Sequence, residues 1–188
     1  IAKQITEVMG GRIEAQSRVG AGSRFTVTLR LKKLSHASSP AIKIEDALEH
    51  LMDKKILLVE DNEINLEIET AILEGLGLCI DTATDGSIAV EKMQNAKPGD
   101  YALILMDVQM PVMNGRQATK AIRKLKDKVL SHIPIIALSA DAFESDKRKS
   151  IESGMDAHLP KPIDVPVLLD TIAKTLHTHA ALYGKKNH

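Results

Sequence analysis

From Lys54 onward the chain alternates short apolar runs, at 56–59, 78–83, 102–106, 135–138 and 157–159, with longer segments of helical period. No other feature of the sequence narrows the choice of fold as far. The run 102–106 is too short and too uniformly apolar for a surface helix and reads as a buried parallel strand. Strands of that kind occur in parallel sheets layered between helices, and right-handed crossovers leave few arrangements for five of them. The helices are expected over 64–76, 87–95, 115–125, 142–153 and 165–182. In the first of these, Leu66, Glu69, Thr70, Leu73 and Leu76 mark a mixed stripe that Ile68 and Ile72 widen. Cys79 is the single cysteine; it excludes an intramolecular disulfide and reads as a core thiol.

The third run stops on one carboxylate, Asp107, and Pro111 with Asn114-Gly115 forces a loop before a helix can resume. An Asp there points into the crevice at the carboxyl ends of the strands, where open α/β sheets bind ligands. Other strand ends converge on the same edge. Glu60 and Asp61 follow the first run, Ser139 closes the fourth, and Lys161, bracketed by Pro160 and Pro162, follows the fifth. Each alone has a plain structural explanation: a helix cap for Ser139 or for the two acids, a solvated loop charge for Lys161. Together, three carboxylates in one crevice repel one another unless they are protonated or a cation neutralises them, and an oxygen-only donor set suits Mg²⁺. An acceptor carboxylate, a metal pocket, an amine and a hydroxyl at successive strand ends are what in-line phosphoryl transfer requires.

These residues carry a resemblance. The segments Ile-Leu-Leu-Val-Glu-Asp-Asn (56–62), Leu-Met-Asp-Val-Gln-Met-Pro-Val-Met-Asn-Gly (105–115), Ile-Ile-Ala-Leu-Ser-Ala (135–140) and Leu-Pro-Lys-Pro (159–162) stand in the order and spacing of a response-regulator receiver domain. The resemblance implies a flavodoxin-like, doubly wound five-stranded parallel sheet of order 2-1-3-4-5. It also implies Asp107 as phosphoacceptor, Mg²⁺ held by Glu60, Asp61, Asp107 and the backbone carbonyl of Gln109, and Lys161 on a phosphoryl oxygen. Ser139 falls at the position of the family's switch hydroxyl. At position 158, where many members carry Tyr or Phe, this chain has His158, so the aromatic form of the switch is replaced by an imidazole. Gln109 and Asp141 occupy positions that tune hydrolysis in the family.

Ahead of this lies a smaller piece. Ile1, Ile5, Val8 and Met9 share a helical face that ends at Gly10-Gly11, and a strand, a glycine turn and a second strand follow. Met-Gly-Gly-Arg-Ile-Glu (9–14) with Gly-Ala-Gly-Ser-Arg-Phe-Thr-Val-Thr-Leu (20–29) resembles the last part of a histidine-kinase ATP-binding domain. The glycine-rich and Asn-bearing elements that hold nucleotide in that family would precede Ile1, so neither ATP binding nor another cofactor-binding residue is expected. The expected division is 1–32 as this remnant, 33–53 as linker, 54–182 as receiver and 183–188 as tail. Within the linker Ala47, Leu48, Leu51 and Met52 suit a short packing helix, and the histidines His177, His179 and His188 read as solvent-facing.

The chain begins without Met inside an apparent helix, as a piece cut from a longer protein would. With 25 basic and 25 acidic residues it lacks the excess positive charge of a nucleic-acid or anionic-membrane binder, and 2% aromatic content offers no stacking surface. No apolar run is long enough to span a bilayer. The whole resembles the end of a hybrid sensor histidine kinase. That implies a cytoplasmic location, whether or not the parent protein is membrane-anchored, a kinase dimerisation domain as phosphodonor and a histidine phosphotransfer protein as acceptor. Homodimerisation is left open. The alternative is a phosphorylation-gated module that docks on its own kinase without onward transfer. An aspartate-nucleophile phosphatase of related topology would want a second Asp two residues after Asp107, where Gln109 stands.

Overall fold

The computed structural model describes residues 3, 6, 10–18, 20, 22–29, 51, 54–140 and 144–183. The chain divides into two compact units, Ile1–Pro40 and Ala41–His188. In the first, β1 (Arg12–Arg18) and β2 (Gly22–Thr28) form an antiparallel hairpin from Arg12↔Thr28 to Arg18↔Gly22. Gly20 and Gly22 turn it with φ of 78° and 92°, values open to glycine at no steric cost. The helix expected over the first nine residues lies mostly outside the described residues.

The second unit contains a five-stranded parallel sheet. Its strands are β3 (Lys55–Val59), β4 (Cys79–Ala83), β5 (Tyr101–Asp107), β6 (Ile135–Ser139) and β7 (Ala157–Pro160). They lie in the order β4-β3-β5-β6-β7, which is the 2-1-3-4-5 order that the resemblance implies. The helices are α1 (Glu63–Gly75), α2 (Gly86–Asn95), α3 (Gly115–Ile122), α4 (Lys128–Ser131), α5 (Glu144–Glu152) and α6 (Val165–Tyr183). Side chains alternate across each strand, so each run feeds two cores. Ile56, Leu58, Leu103, Leu105, Ile136, Leu138 and Leu159 pack with Leu73 of α1 and Leu168 and Ile172 of α6. Leu57, Val59, Ile104, Met106, Ile135 and Ala137 pack on the other face with Ala89 and Met93 of α2 and Ala118 and Ile122 of α3. Each fully buried Leu or Ile contributes about 1.5–3 kcal/mol. Both faces are therefore fixed, and the strand ends form a rigid rim.

Several details depart from the sequence reading. The helix expected over 115–125 ends at Ile122, and a separate short helix, α4, follows with Asp127 as its cap. Here Arg123 turns inward, donating to the carbonyls of Gly154 (2.9 Å), Ser131 (3.0 Å) and Ile133 (2.7 Å) and to Asp156 (2.8 Å). Cys79 is exposed rather than a core thiol, because it opens the edge strand β4. Ile68 is 54% exposed and does not widen the buried stripe of α1, which narrows to Glu69 and Leu73 with their half-buried neighbours. His179 is not solvent-facing: half-buried on α6, it meets the backbone carbonyl of His132. Leu51, inside the segment read as linker, is fully buried in the core beside α1 and α6. Ala47, Leu48, Met52, Asp141 and His188 lie outside the described residues.

Candidate functional site

The period-two alternation that builds the two cores also sorts the site. On β3 the face that carries Ile56 and Leu58 carries Glu60 next; on β5 that of Leu103 and Leu105 carries Asp107; on β7 that of Ala157 and Leu159 reaches Lys161. All three charged residues thus emerge on the side covered by α1 and α6. Glu60 is 1% exposed and Asp107 8%. The Lys161 ammonium contacts both, reaching Asp107 Oδ2 at 2.5 Å and pairing closely with Glu60 Oε2. The Lys161–Pro162 peptide is cis, and the Lys161 N–H donates to the Ser139 carbonyl at 2.8 Å, joining two of the strand ends.

Helix α1 completes one wall. Asn62 caps it, its side chain accepting from the N–H groups of Ile64 and Asn65. The Asn65 amide donates to Glu60 Oε1 at 3.0 Å. One turn on, Glu69 is buried, with Oε1 3.8 Å from the Lys161 ammonium. The sequence reading placed Glu69 on the stripe but gave it no part in the site; the signal was a carboxylate standing between Leu66 and Leu73. On the opposite wall the loop after β5 folds back: Gln109 donates its N–H to Asp107 Oδ1 at 2.8 Å, and Gly115 donates to the Val108 carbonyl.

The electrostatics follow from burial set against one shared cation. Burial pushes Glu60 up, but hydrogen bonds from Lys161 and Asn65 outweigh it and hold the carboxyl below its ordinary value. For Asp107 burial wins over Lys161 and the Gln109 N–H, and its pKa is raised. Glu69 is pushed up to about 7 by burial, against the Lys161 charge and with Glu60 and Asp107 adding to the rise. Burial would lower Lys161, but the carboxylates around it raise it above the usual lysine value. One ammonium thus serves three carboxylates. A further cation is called for, and oxygens of Glu60, exposed Asp61 and Asp107 lie within 4.8 Å of one another. An all-oxygen donor set of this size fits a hard divalent ion such as Mg²⁺.

Of the other residues singled out in the sequence, Ser139 is buried at the end of β6 and His158 half-buried on β7 opposite Ala137. By strand alternation both lie on the α2/α3 face, opposite to the face of Glu60, Asp107 and Lys161, with Ser139 two residues beyond Ala137, the register partner of His158. The Gln109 side chain is exposed. Among the described residues no helix is long and apolar enough to cross a membrane.

Comparison with known proteins agrees with this geometry. Residues 56–173 match the family described as "Response regulator receiver domain". The aerobic respiration control sensor protein ArcB of Escherichia coli is 35% identical over 178 residues, covering 93% of this chain and 22% of ArcB; the chain thus spans about a fifth of that relative's length. A solved receiver domain of the sensor histidine kinase PA1611 from Pseudomonas aeruginosa superposes with a TM-score of 0.58 at 34% identity. That likeness covers 66% of this chain and 98% of the other, and that structure has a magnesium ion coordinated in its active-site cleft. A chain from the co-crystal of the Saccharomyces cerevisiae histidine phosphotransfer protein Ypd1 with the receiver domain of Ssk1 gives a TM-score of 0.60 at 31% identity, covering 69% of this chain and 93% of that one.

Proposed function

The chain belongs to the response regulator receiver family, by its match over residues 56–173, and from that premise we propose that it accepts a phosphoryl group on Asp107 within a two-component phosphorelay. One observation carries this reading: a buried strand-end carboxylate with a lysine ammonium at 2.5 Å and two further acids, Glu60 and Asp61, within metal-binding reach. In the reaction an Asp107 carboxylate oxygen bonds to phosphorus as the bond from phosphorus to the donor's histidine nitrogen breaks, and the imidazole takes up a proton. A carboxylate is a modest nucleophile, so acceleration comes from placement and charge. The Gln109 N–H fixes Asp107 Oδ1 and leaves the other oxygen facing Lys161. Lys161 neutralises one phosphoryl oxygen as negative charge gathers there. Glu60, Asp61, Asp107 and the Gln109 carbonyl would hold Mg²⁺, which would supply positive charge beside these acids.

Ser139 and His158 belong to the proposal as its switch. Their diagonal places on one face of the paired strands β6 and β7 support a coupled movement, with the hydroxyl drawn toward the phosphoryl group and the imidazole following. The donor is the dimerisation domain of a histidine kinase, in a cytoplasmic hybrid arrangement, and residues 1–32 are the last part of its ATP-binding domain. Onward transfer to a histidine phosphotransfer protein is supported by the likeness to the Ypd1–Ssk1 co-crystal. It is also supported by apolar side chains beside the crevice: Ile64 (68% exposed) and Ile68 on α1, and Val112 (87%) in the loop after β5. Such side chains suit a docking partner's surface.

The test is intact mass after treatment with acetyl phosphate, with and without EDTA. One base-labile phosphoryl group is expected, lost in Asp107→Asn and in EDTA and slowed in Asp61→Ala and Lys161→Ala. An adduct that persists in Asp107→Asn, or that ignores EDTA, would place the acceptor elsewhere.

A further inference from the structure

Glu69 stands out as a charged residue that the proposed chemistry does not use. It lies on the buried face of α1 between Leu66 and Leu73, a place where an aliphatic side chain would pack. Its Oε2 is buried with no hydrogen-bond partner, and its Oε1 faces the Lys161 ammonium at 3.8 Å. A carboxyl so placed costs stability unless it has a task. An ammonium has three N–H groups. Two are directed at Glu60 and Asp107, and Glu69 is the remaining acid beside Lys161.

We infer that Glu69 is a positioning residue for Lys161: it receives the ammonium when a divalent cation takes the oxygens of Glu60 and Asp107. The inference rests on the phosphoacceptor reading of the same site. Lys161 and the cation compete for two carboxylates, so the lysine must yield some of its contacts and still remain in the crevice to meet a phosphoryl oxygen. A shift of about 1 Å converts the 3.8 Å contact with Glu69 into a charge-assisted hydrogen bond. Without Glu69 the ammonium either stays on Glu60 and opposes metal binding, or swings to solvent and leaves the phosphoryl group uncompensated. Helix α1 thereby contributes at three successive levels: Asn62 at its cap, Asn65 on Glu60, and Glu69 on Lys161.

The experiment uses the whole chain with Glu69→Gln and Glu69→Leu, each alone and combined with Lys161→Ala. Mg²⁺ affinity is measured by calorimetry and acetyl phosphate labelling by intact mass. Glu69→Gln should weaken Mg²⁺ binding roughly threefold to tenfold and slow labelling at saturating Mg²⁺, whereas in the Lys161→Ala background the same substitution should change the affinity less than about twofold, since coupled residues are non-additive. Glu69→Asp should restore part of the loss. Equal effects in both backgrounds would mean that Glu69 acts only as a distant charge, and no effect in either would mean that it is inert; both overturn the inference. Glu69→Leu guards against misfolding: its melting temperature in EDTA should match or exceed that of the wild type while Mg²⁺ binding weakens. If the wild type is not labelled at Asp107, the phosphoacceptor reading fails, and the calorimetric comparison still decides the role of Glu69.

Discussion

Glu69 makes the stability of this protein depend on pH in a direction opposite to that of most carboxylates. Its pKa is pushed up to about 7 in the folded chain from an ordinary value of 4.5. Between those limits the folded state keeps a proton that the unfolded state has released, so stability falls as pH rises through this window and levels off above it. The difference between 4.5 and about 7 corresponds to on the order of 3 kcal/mol. Asp107, also raised, adds to the slope, whereas Glu60, held low, contributes stability that is lost as pH falls toward its folded pKa. Glu69→Gln in EDTA should therefore flatten much of the decline, read as urea midpoints from pH 4.5 to 7.5. A mutant that keeps the wild-type slope would assign the effect to Asp107 alone.

The loops that hold the site depend on close backbone approach. A Cβ at Gly115 would lie 2.1 Å from the Asp107 carbonyl oxygen and 2.8 Å from the Met106 side chain, so the start of α3 packs directly on the end of the acceptor strand. Gly115→Ala is expected to cost about 1–3 kcal/mol in denaturant unfolding and to slow labelling by displacing Asp107; normal labelling would show that the loop can shift independently. Arg123→Ala should cost about 1–3 kcal/mol, because it strips donors from part-buried carbonyls and removes the charge partner of the exposed Asp156. A loss below about 0.5 kcal/mol would mark the fork as a surface contact. The sequence showed these two residues unequally. Gly115 follows Asn114 after an apolar run and announces a turn, whereas Arg123 looks like any cation on a helix. Its partners Ser131, Ile133, Gly154 and Asp156 come together only when strand order is known. Cys79 was misread for the same reason: an apolar neighbourhood says nothing about lying on an edge strand. The short helix after Asp127 carried its cap residue in the sequence, but four residues are too few to show a period. The strand ends at the site were legible because the apolar run stops on the residue that matters, as at Val59-Glu60 and Met106-Asp107.

At the scale of the whole molecule, the two readings of function differ in what meets the crevice. Relay requires a phosphotransfer domain to bring a histidine to Asp107, and a residue set in the crevice floor can be reached only if the partner packs around the rim. The rim has apolar side chains to offer: Ile64 and Ile68, one turn apart on α1, and Val112 in the loop after β5, held at a φ of 63° that a β-branched residue rarely adopts. A partner that buries Ile68 gains from an apolar side chain already ordered on a helix, so truncation there should act on association and leave the reaction with acetyl phosphate, which touches only the floor, near the wild-type rate. Ile68→Ser, alone and with Ile64→Ser, is therefore expected to reduce phosphoryl exchange with a histidine phosphotransfer protein roughly thirtyfold or more, the size of a single interface hot spot. The rate is read by following labelled Asp107 lose its phosphoryl group to the purified partner. Wild-type exchange in the double variant would move the docking face off α1, and phosphorylation-dependent binding with no exchange at all would favour the reading in which the receiver docks on its own kinase.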